Sequence, residues 1–323
     1  MNRPFLLTPA PKNYLWGGSR LNDEFNYGCQ IFPFAEAWVC STHPDGSSGV
    51  PEFDCNLSEL LKQHPEYLGT HASLINSGEL PILIKLIDAR QKLSVQVHPD
   101  DEYASDCEGG LGKTEMWYVL DAKQNASLVY GFQQDVTAEQ IRDSVKNGTI
   151  ETLLNHVNVS TNDLFFIESG TVHAIGAGCL IAEIQENSNL TYRLYDYDRT
   201  DKYGKKRELH LDKALAVMKM GRSNAPRQPM RLLRYCSGYA TELLVRCKYF
   251  QVERMLLNTE GRKLAEFKSG NNSFHVFLCV DGCGNISGMN FSLNFFKGDC
   301  VFIPADSVPL KIHGKAQILS VSC

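Results

Sequence analysis

Residues 93–104 read LSVQVHPDDEYA, and their pattern sets two readings of the fold against each other. Leu93, Val95 and Val97 alternate with Ser94, Gln96 and His98, so a strand here places the three polar side chains on one face. Such a row is either the wet side of a surface strand or the inner wall of a β-structure that has a use for polar groups. The choice depends on what other strands bring to the same place.

Most of the chain reads as short strands broken by Gly, Pro, Asn and Asp. Candidates are 81–89, 93–98, 115–120, 127–131, 163–167, 179–185 and 191–196, then 240–246, 250–256, 273–280, 291–296, 300–303 and 317–321. Helices are few. Ser58 is placed to cap one that runs to His64, where Pro65 stops it. Thr137 and Gln140 have capping-box spacing, Gly148 marks the end of that helix, and a shorter one is expected through Leu153 and Leu154. Residues 137–157 therefore read as a small helical insertion. Asp212 opens a further helix through Leu215 and Met218 to Gly221. The connector SNAPRQP (223–229) follows, which puts the domain boundary between 1–222 and 231–323. Many short strands at this spacing predict a mainly β protein with two antiparallel β-barrels in tandem.

Composition narrows the function. With 43% hydrophobic and 21% charged residues over 323 positions, the chain reads as globular, not disordered. No segment approaches the ~18 uninterrupted apolar residues of a membrane span. The apolar run Phe5-Leu6-Leu7 is too short for a signal-peptide core, so a cytoplasmic protein is expected, without a membrane partner. A net charge of −5 argues against nucleic acid, and an anionic substrate must be met by a few local Lys or Arg residues. Eleven scattered cysteines without a C-x-x-C pair fit reduced, mostly buried thiols; Cys279 and Cys283 form at most half a zinc site and have no second pair.

Three further stretches decide the opening question. GKTEMWYVL (112–120) puts Lys113, Glu115 and Trp117 on one strand face. DLFFIESGTVHAIG (163–176) delivers His173 from a Gly-containing turn, and LIAEIQENSNLTYRLYDYDR (180–199) reads as a hairpin-like pair with Glu183 and Arg193 on opposite arms. Gln96, His98, Glu115 and His173 together offer an amide oxygen, two imidazoles and a carboxylate, all on or at the ends of strands. A barrel that aims them at one point makes a divalent-metal site, suited to Zn²⁺ and open also to Fe²⁺, Mn²⁺ or Co²⁺.

The order His98, Glu115, S-G-T-V-His173 is similar to the two metal motifs of cupin barrels. The strings YLWGG (14–18), AEAW (35–38), PILIKLIDA (81–89), LSVQVHPDD, GKTEMWYVL, SGTVHAIG and TYRLYDYDR (191–199) resemble type I phosphomannose isomerases in their short bacterial form. The likeness is dense over the first ~220 residues and loose beyond. It implies two cupin-type jelly-roll barrels and one Zn²⁺ per chain on Gln96, His98, Glu115 and His173. It also implies a catalytic role for Arg193, with proton transfer by Glu183 or Lys113, and pocket positions at Trp16, Glu36, Lys85, Ser94, Lys113 and Glu183. The implied reaction interconverts mannose 6-phosphate and fructose 6-phosphate through an enediol, with a small-molecule sugar phosphate as partner. Burial is expected to raise the Glu183 pKa toward neutrality and fit it as a base.

Glu168 stands where the family's turn carries a proline, which is expected to loosen the turn before His173. FKGDCVFIPADSVPLKI (296–312) repeats the rhythm of the His173 segment, but Pro309 falls where the metal His belongs. The second barrel is thus read as a degenerate copy without metal, and His275 and His313 as lone imidazoles. The basic run 202–207 reads as a solvated turn. Two alternatives to the isomerase remain from other classes: a non-haem metal oxygenase and a non-catalytic sugar-binding cupin.

Overall fold

In the computed structural model, residues 2–323 are described apart from 201, 202, 225, 227–231, 262 and 263. The connector residues 225 and 227–229, the expected second-domain start at 231 and position 202 of the basic run therefore lie outside the described residues.

A six-stranded antiparallel sheet forms the middle layer, in the order Leu164–Ile167, Glu115–Ala122, Cys179–Glu186, Ile82–Ala89, Glu36–Cys40, Ala10–Lys12. Its central strands Ile82–Ala89 and Cys179–Glu186 are buried at every position, which is why their sequences are nearly continuous apolar runs. Alternation then sorts their side chains. Ile82, Ile84, Leu86, Met116, Tyr118, Leu180, Ala182 and Ile184 face one core. Ile87, Trp117, Val119, Cys179 and Ile181 face another.

Across that second core lies a five-stranded sheet, ordered Leu154–Asn158, Ser127–Phe132, His173–Ile175, Val95–Val97, Tyr192–Tyr195. Its outer face packs under the helices Ala138–Lys146 and Leu211–Val217 through Val95, Val97, Ile141, Leu194 and Ala214. On the other side of the middle layer, a nine-stranded sheet made mostly of residues 234–322 covers the first core with Leu244, Val252, Val276, Leu278, Phe302 and Leu319. It bends around an apolar core of its own, built from Met255, Phe277, Cys279, Ile303, Ile312 and Ile318. One strand comes from the far end of the chain: Phe5–Leu7 pairs antiparallel with 300–302, and the Phe5 and Phe302 rings stack at 5.2 Å.

The architecture is mainly β, as expected, and the sheets are open from edge to edge instead of closing into hydrogen-bonded barrels. The N-terminal unit is a sandwich. Thr137 and Gln140 make the predicted capping box, and Gly148 at φ +69° follows the helix end. The expected helix through Leu153 and Leu154 is instead a short 3₁₀ turn, Ile150–Thr152, and an edge strand, Leu154–Asn158; pairing with Ser127–Phe132 overrides local propensity. The helix Leu57–Gln63 is capped by Asn56, whose box partner is Glu59, not by Ser58. A helix Asp101–Glu108, capped by Asp100, follows directly on the strand read first. Leu93 precedes that strand and packs in the inter-sheet core, apart from Val95 and Val97. The sequences around Glu183 and Arg193 do not pair as a hairpin: their strands belong to opposite sheets and bring the two residues to the same cavity from facing walls. All eleven cysteines are free, four of them buried.

Candidate functional site

Two rows of side chains face each other between the sheets. On the middle layer, Trp117 is level with Glu183, Glu183 with Lys85, and Lys85 with Trp38. On the five-stranded sheet, His173 is level with Gln96 and Gln96 with Arg193. The space between them is a cavity of about 260 Å³ lined by Trp16, Glu36, Lys85, Ser94, Gln96, Lys113, Trp117, Glu183 and Arg193, together with Tyr14, Ile87, Leu93, Ile175, Asn189, Thr191 and Arg207. The polar row Ser94, Gln96, His98 is thus an inner wall.

His98, Glu115 and His173 converge at the inner end, all three buried. The two imidazole Nε2 atoms lie 3.1 Å apart, and Glu115 Oε1 and Oε2 lie 3.3 Å from His173 Nε2 and 3.6 Å from His98 Nε2. Each ring is oriented by its other nitrogen: His98 Nδ1 donates to the Leu190 carbonyl and His173 Nδ1 to the Thr171 carbonyl, both at 2.8 Å. With the proton on Nδ1, two lone pairs point at one spot. Burial, helped by the charge of Lys113, holds His98 well below the usual imidazole range and His173 at about 4, so both rings are neutral. Neither oxygen of Glu115 accepts an aligned hydrogen bond, although Lys113 Nζ stands 3.1 Å from Oε2 as an ion-pair partner. Burial pushes this carboxyl up to about 7 against the pull of Lys113. Two convergent lone pairs and a buried carboxylate that accepts no aligned hydrogen bond leave room for a further cation, and their N₂O chemistry fits a divalent metal. Gln96 borders the group, with its amide nitrogen 3.4 Å from His173 Nε2.

The turn that delivers His173 is closed by backbone hydrogen bonds. Thr171 N donates to Glu168 O at 3.1 Å, Gly170 N to His98 O at 2.8 Å, and Lys219 N to Gly170 O at 2.8 Å. Gly170 sits at φ +80°, with the space for a Cβ taken by the Val217 carbonyl.

Charge is distributed unevenly along the walls. Lys85 is buried and paired with Glu183 at 2.9 Å, and it stands over the Trp38 ring; it makes no pair with Asp88. Trp117 Nε1 donates to the other oxygen of Glu183 at 2.8 Å, so this carboxylate serves neither imidazole. Burial alone raises the Glu183 pKa, but Lys85 and Lys113 with these two hydrogen bonds outweigh it and leave about 2, opposite to the rise expected from the sequence. Glu36 Oε2 accepts from Trp38 Nε1 at 2.7 Å. Arg193 donates to Ser94 Oγ at 3.3 Å and to the Glu208 carbonyl at 2.9 Å; among the described residues no carboxylate is ion-paired with it. Thr191 shares its cavity face, but Tyr195 does not: a register shift between Arg193 and Tyr195 turns that ring into the core beneath the helices.

Tyr14, Asn189, Thr191 and Arg207 line the cavity without having been singled out as pocket residues. Tyr14 stacks on Trp16 at 5.6 Å, and the string YLWGG already contained both rings. Arg207 lies in the basic run that reads as a solvated turn, and only tertiary placement reveals it.

A β-sandwich of jelly-roll type with a buried His–Glu–His centre beside a cationic cavity defines a cupin-type metal site. Residues 5–135 match the family model "Phosphomannose isomerase type I, catalytic domain", and residues 240–323 match "Mannose-6-phosphate isomerase, cupin domain". The chain is 36% identical to mannose-6-phosphate isomerase ManA of Bacillus subtilis over 98% of both chains. Its structure superposes on a crystal structure of the Bacillus subtilis mannose 6-phosphate isomerase with a TM-score of 0.89, at 33% identity and 99% coverage of each chain. A zinc-bound mannose 6-phosphate isomerase shares the fold at a TM-score of 0.76 and 17% identity, with 98% of each chain covered. The chain belongs to the type I phosphomannose isomerase family.

Proposed function

We propose that the chain interconverts mannose 6-phosphate and fructose 6-phosphate, with one Zn²⁺ held by His98, Glu115, His173 and the amide oxygen of Gln96. The observation that carries this reading is the juxtaposition, in one cavity, of a convergent metal-ligand set and a guanidinium that has no carboxylate partner among the described residues. When bound, the metal supplies Lewis-acid stabilisation of negative charge on substrate oxygens. Gln96, whose amide lies 3.4 Å from His173 Nε2, would offer its oxygen to the same ion with the amide turned about its last torsion.

The reaction moves a proton between C1 and C2 and needs a grip on a dianionic phosphate. Lys85 and Lys113 already have carboxylate partners, so the phosphate belongs at Arg193, whose planar fork suits an oxyanion. That orientation leaves the carbonyl end of the sugar toward His98, Glu115 and His173. Trp16 and Tyr14 offer a flat apolar wall, and Ser94 Oγ, which accepts from Arg193, holds the guanidinium in place. Both oxygens of Glu183 are already engaged, one by Lys85 and the other by Trp117 Nε1. We therefore assign Glu183 to fixing Lys85 and assign proton transfer to Lys113 Nζ, which reaches both Glu115 and His98 Nε2 (3.2 Å). Eleven free thiols suit a reducing compartment, and we place the enzyme in the cytoplasm.

The test is a coupled assay on purified, metal-analysed protein, run beside an oxygen electrode. The expected outcome is turnover of mannose 6-phosphate that follows zinc content, with no oxygen consumed. Metal-loaded protein that consumes oxygen, or converts no sugar phosphate, overturns the reading.

A further inference from the structure

The segment YDYDR contributes more than Arg193's neighbours. Asp196 to Arg199 form a tight turn closed by Arg199 N donating to Asp196 O at 3.1 Å, with Tyr197 and Asp198 both at φ +54°. Two consecutive left-handed residues that are not glycine are costly, and such conformations persist where the surroundings impose them. Here the surroundings are visible. The Tyr197 ring lies under Lys92 Nζ (5.1 Å) and the Arg199 guanidinium (5.3 Å), and Arg199 also donates to the Lys92 carbonyl at 2.6 Å.

The turn presents the Asp196 carboxylate, whose side chain is 5% exposed, to two guanidiniums. Arg207 grips it with two bonds, Nε to Oδ2 at 2.7 Å and Nη2 to Oδ1 at 2.5 Å, and Arg199 Nη2 shares Oδ1. An antiparallel bridge between Thr200 and Lys206 brings the chain back so that Arg207 arrives beside Asp196. Arg207 in turn lines the cavity together with Arg193. Two guanidiniums thus share one carboxylate at this end and Arg193 stands beside them, which leaves a surplus of positive charge, whereas Lys85 and Lys113 are each matched by a carboxylate.

We infer that Asp196 is a positioning residue: its strained turn holds Arg207 on the cavity wall, so that Arg207 and Arg193 together form the phosphate-binding end of the site. The inference rests on reading the cavity as a sugar-phosphate site. A guanidinium pinned by a bidentate carboxylate keeps its remaining N–H groups preorganised for an oxyanion, whereas a free side chain must be ordered at each binding event. The phosphate does not change charge during the isomerisation, so the contribution falls on ground state and transition state alike.

Steady-state kinetics of Arg207→Gln and Asp196→Asn, with inorganic phosphate as a competitive inhibitor, test this. In both variants KM for mannose 6-phosphate and the inhibition constant of phosphate rise together, by about tenfold or more, while kcat stays within about threefold. Arg207→Lys recovers part of the loss, since it restores a charge without the fork. Arg207 is only partly buried, so its replacement leaves the fold intact even where Asp196→Asn disturbs the turn. Parental KM and phosphate inhibition in Arg207→Gln, or a loss confined to kcat, overturns the inference. Calorimetric titration of the parent and Arg207→Gln with phosphate separates the two claims. A parent without isomerase activity whose phosphate binding vanishes in the variant sinks the reaction while the anion end stands.

Discussion

The two halves of the molecule use the same kind of β-scaffold to opposite ends. In the N-terminal sandwich, the inward positions of adjacent strands hold Lys85, Glu115, Glu183, Gln96 and His173. In the C-terminal sheet, the enclosed positions hold Phe277, Cys279, Ile286, Ile303, Ile312 and Ile318. Even the turn rhythm is shared, yet where the first half has His173 the second has Val308, Pro309 and Leu310, with Leu310 buried in the apolar core. The first interior must be stabilised by pairing each charge, since a lone buried ion costs several kcal/mol. The second needs only close packing. Where a chain carries both kinds, the apolar half can offset the instability of the functional one, and here the two are joined through a continuous apolar core.

The sharpest way to break this contrast is at the ligand set. His98→Ala and His173→Ala are each expected to reduce metal content to background and to abolish turnover, while the protein stays folded. Elemental analysis of folded variants reads this, and retained stoichiometric metal excludes the assignment. The next effect is on stability. Glu183→Ala strands Lys85 at 3% exposure and should cost about 3–5 kcal/mol in denaturant unfolding. The double variant Lys85→Met/Glu183→Leu should regain most of that loss without regaining activity, and a single variant of parental stability would show that the pair is not buried in solution.

The smallest effect belongs to the C-terminal half. His275 packs edge-on against Phe267 at 5.0 Å, and burial lowers its pKa from 6.5 to about 4. The unfolded chain therefore binds a proton below pH ~6.5 that the folded chain refuses until pH ~4, so stability falls as the pH drops through this window. The ring is half-buried, which limits the contribution to about 1–2 kcal/mol. His275→Phe should flatten the unfolding free energy between pH 6.5 and 4 by that amount, and an unchanged slope would remove His275 as its source.

Strand period made much of this readable in advance. Lys113, Glu115 and Trp117 share a face because of a two-residue repeat, and the structure places all three at the cavity or its inner end. The helix Asp101–Glu108 also had a local signal, an Asp100 cap with acidic residues behind it and Gly109 at its end. Other features had no local signal. Leu154–Asn158 is a strand only because an edge was open beside it, and a bulge after Arg193 turns Tyr195 off the face that a two-residue repeat would give it. The ionised state of Glu183 depends on Lys85 and Trp117, which reach it from neighbouring strands. Burial alone, the one influence a sequence suggests, acts in the opposite direction.

Phe5–Leu7 completes the edge of a sheet whose other strands come from the opposite end of the chain. Its partner at 300–302 leaves the ribosome roughly 15–60 s later, at synthesis rates of about 5–20 residues per second. For that interval a segment containing Phe5, Leu6 and Leu7 waits unpaired, next to a middle sheet whose outer face is equally uncovered. The wait is made safer by brevity, since the four residues between Pro4 and Pro9 offer little template for stray pairing. A strand made early thus waits for one made about 295 residues later, and that edge of the sheet is completed only after residues 300–302 have been translated.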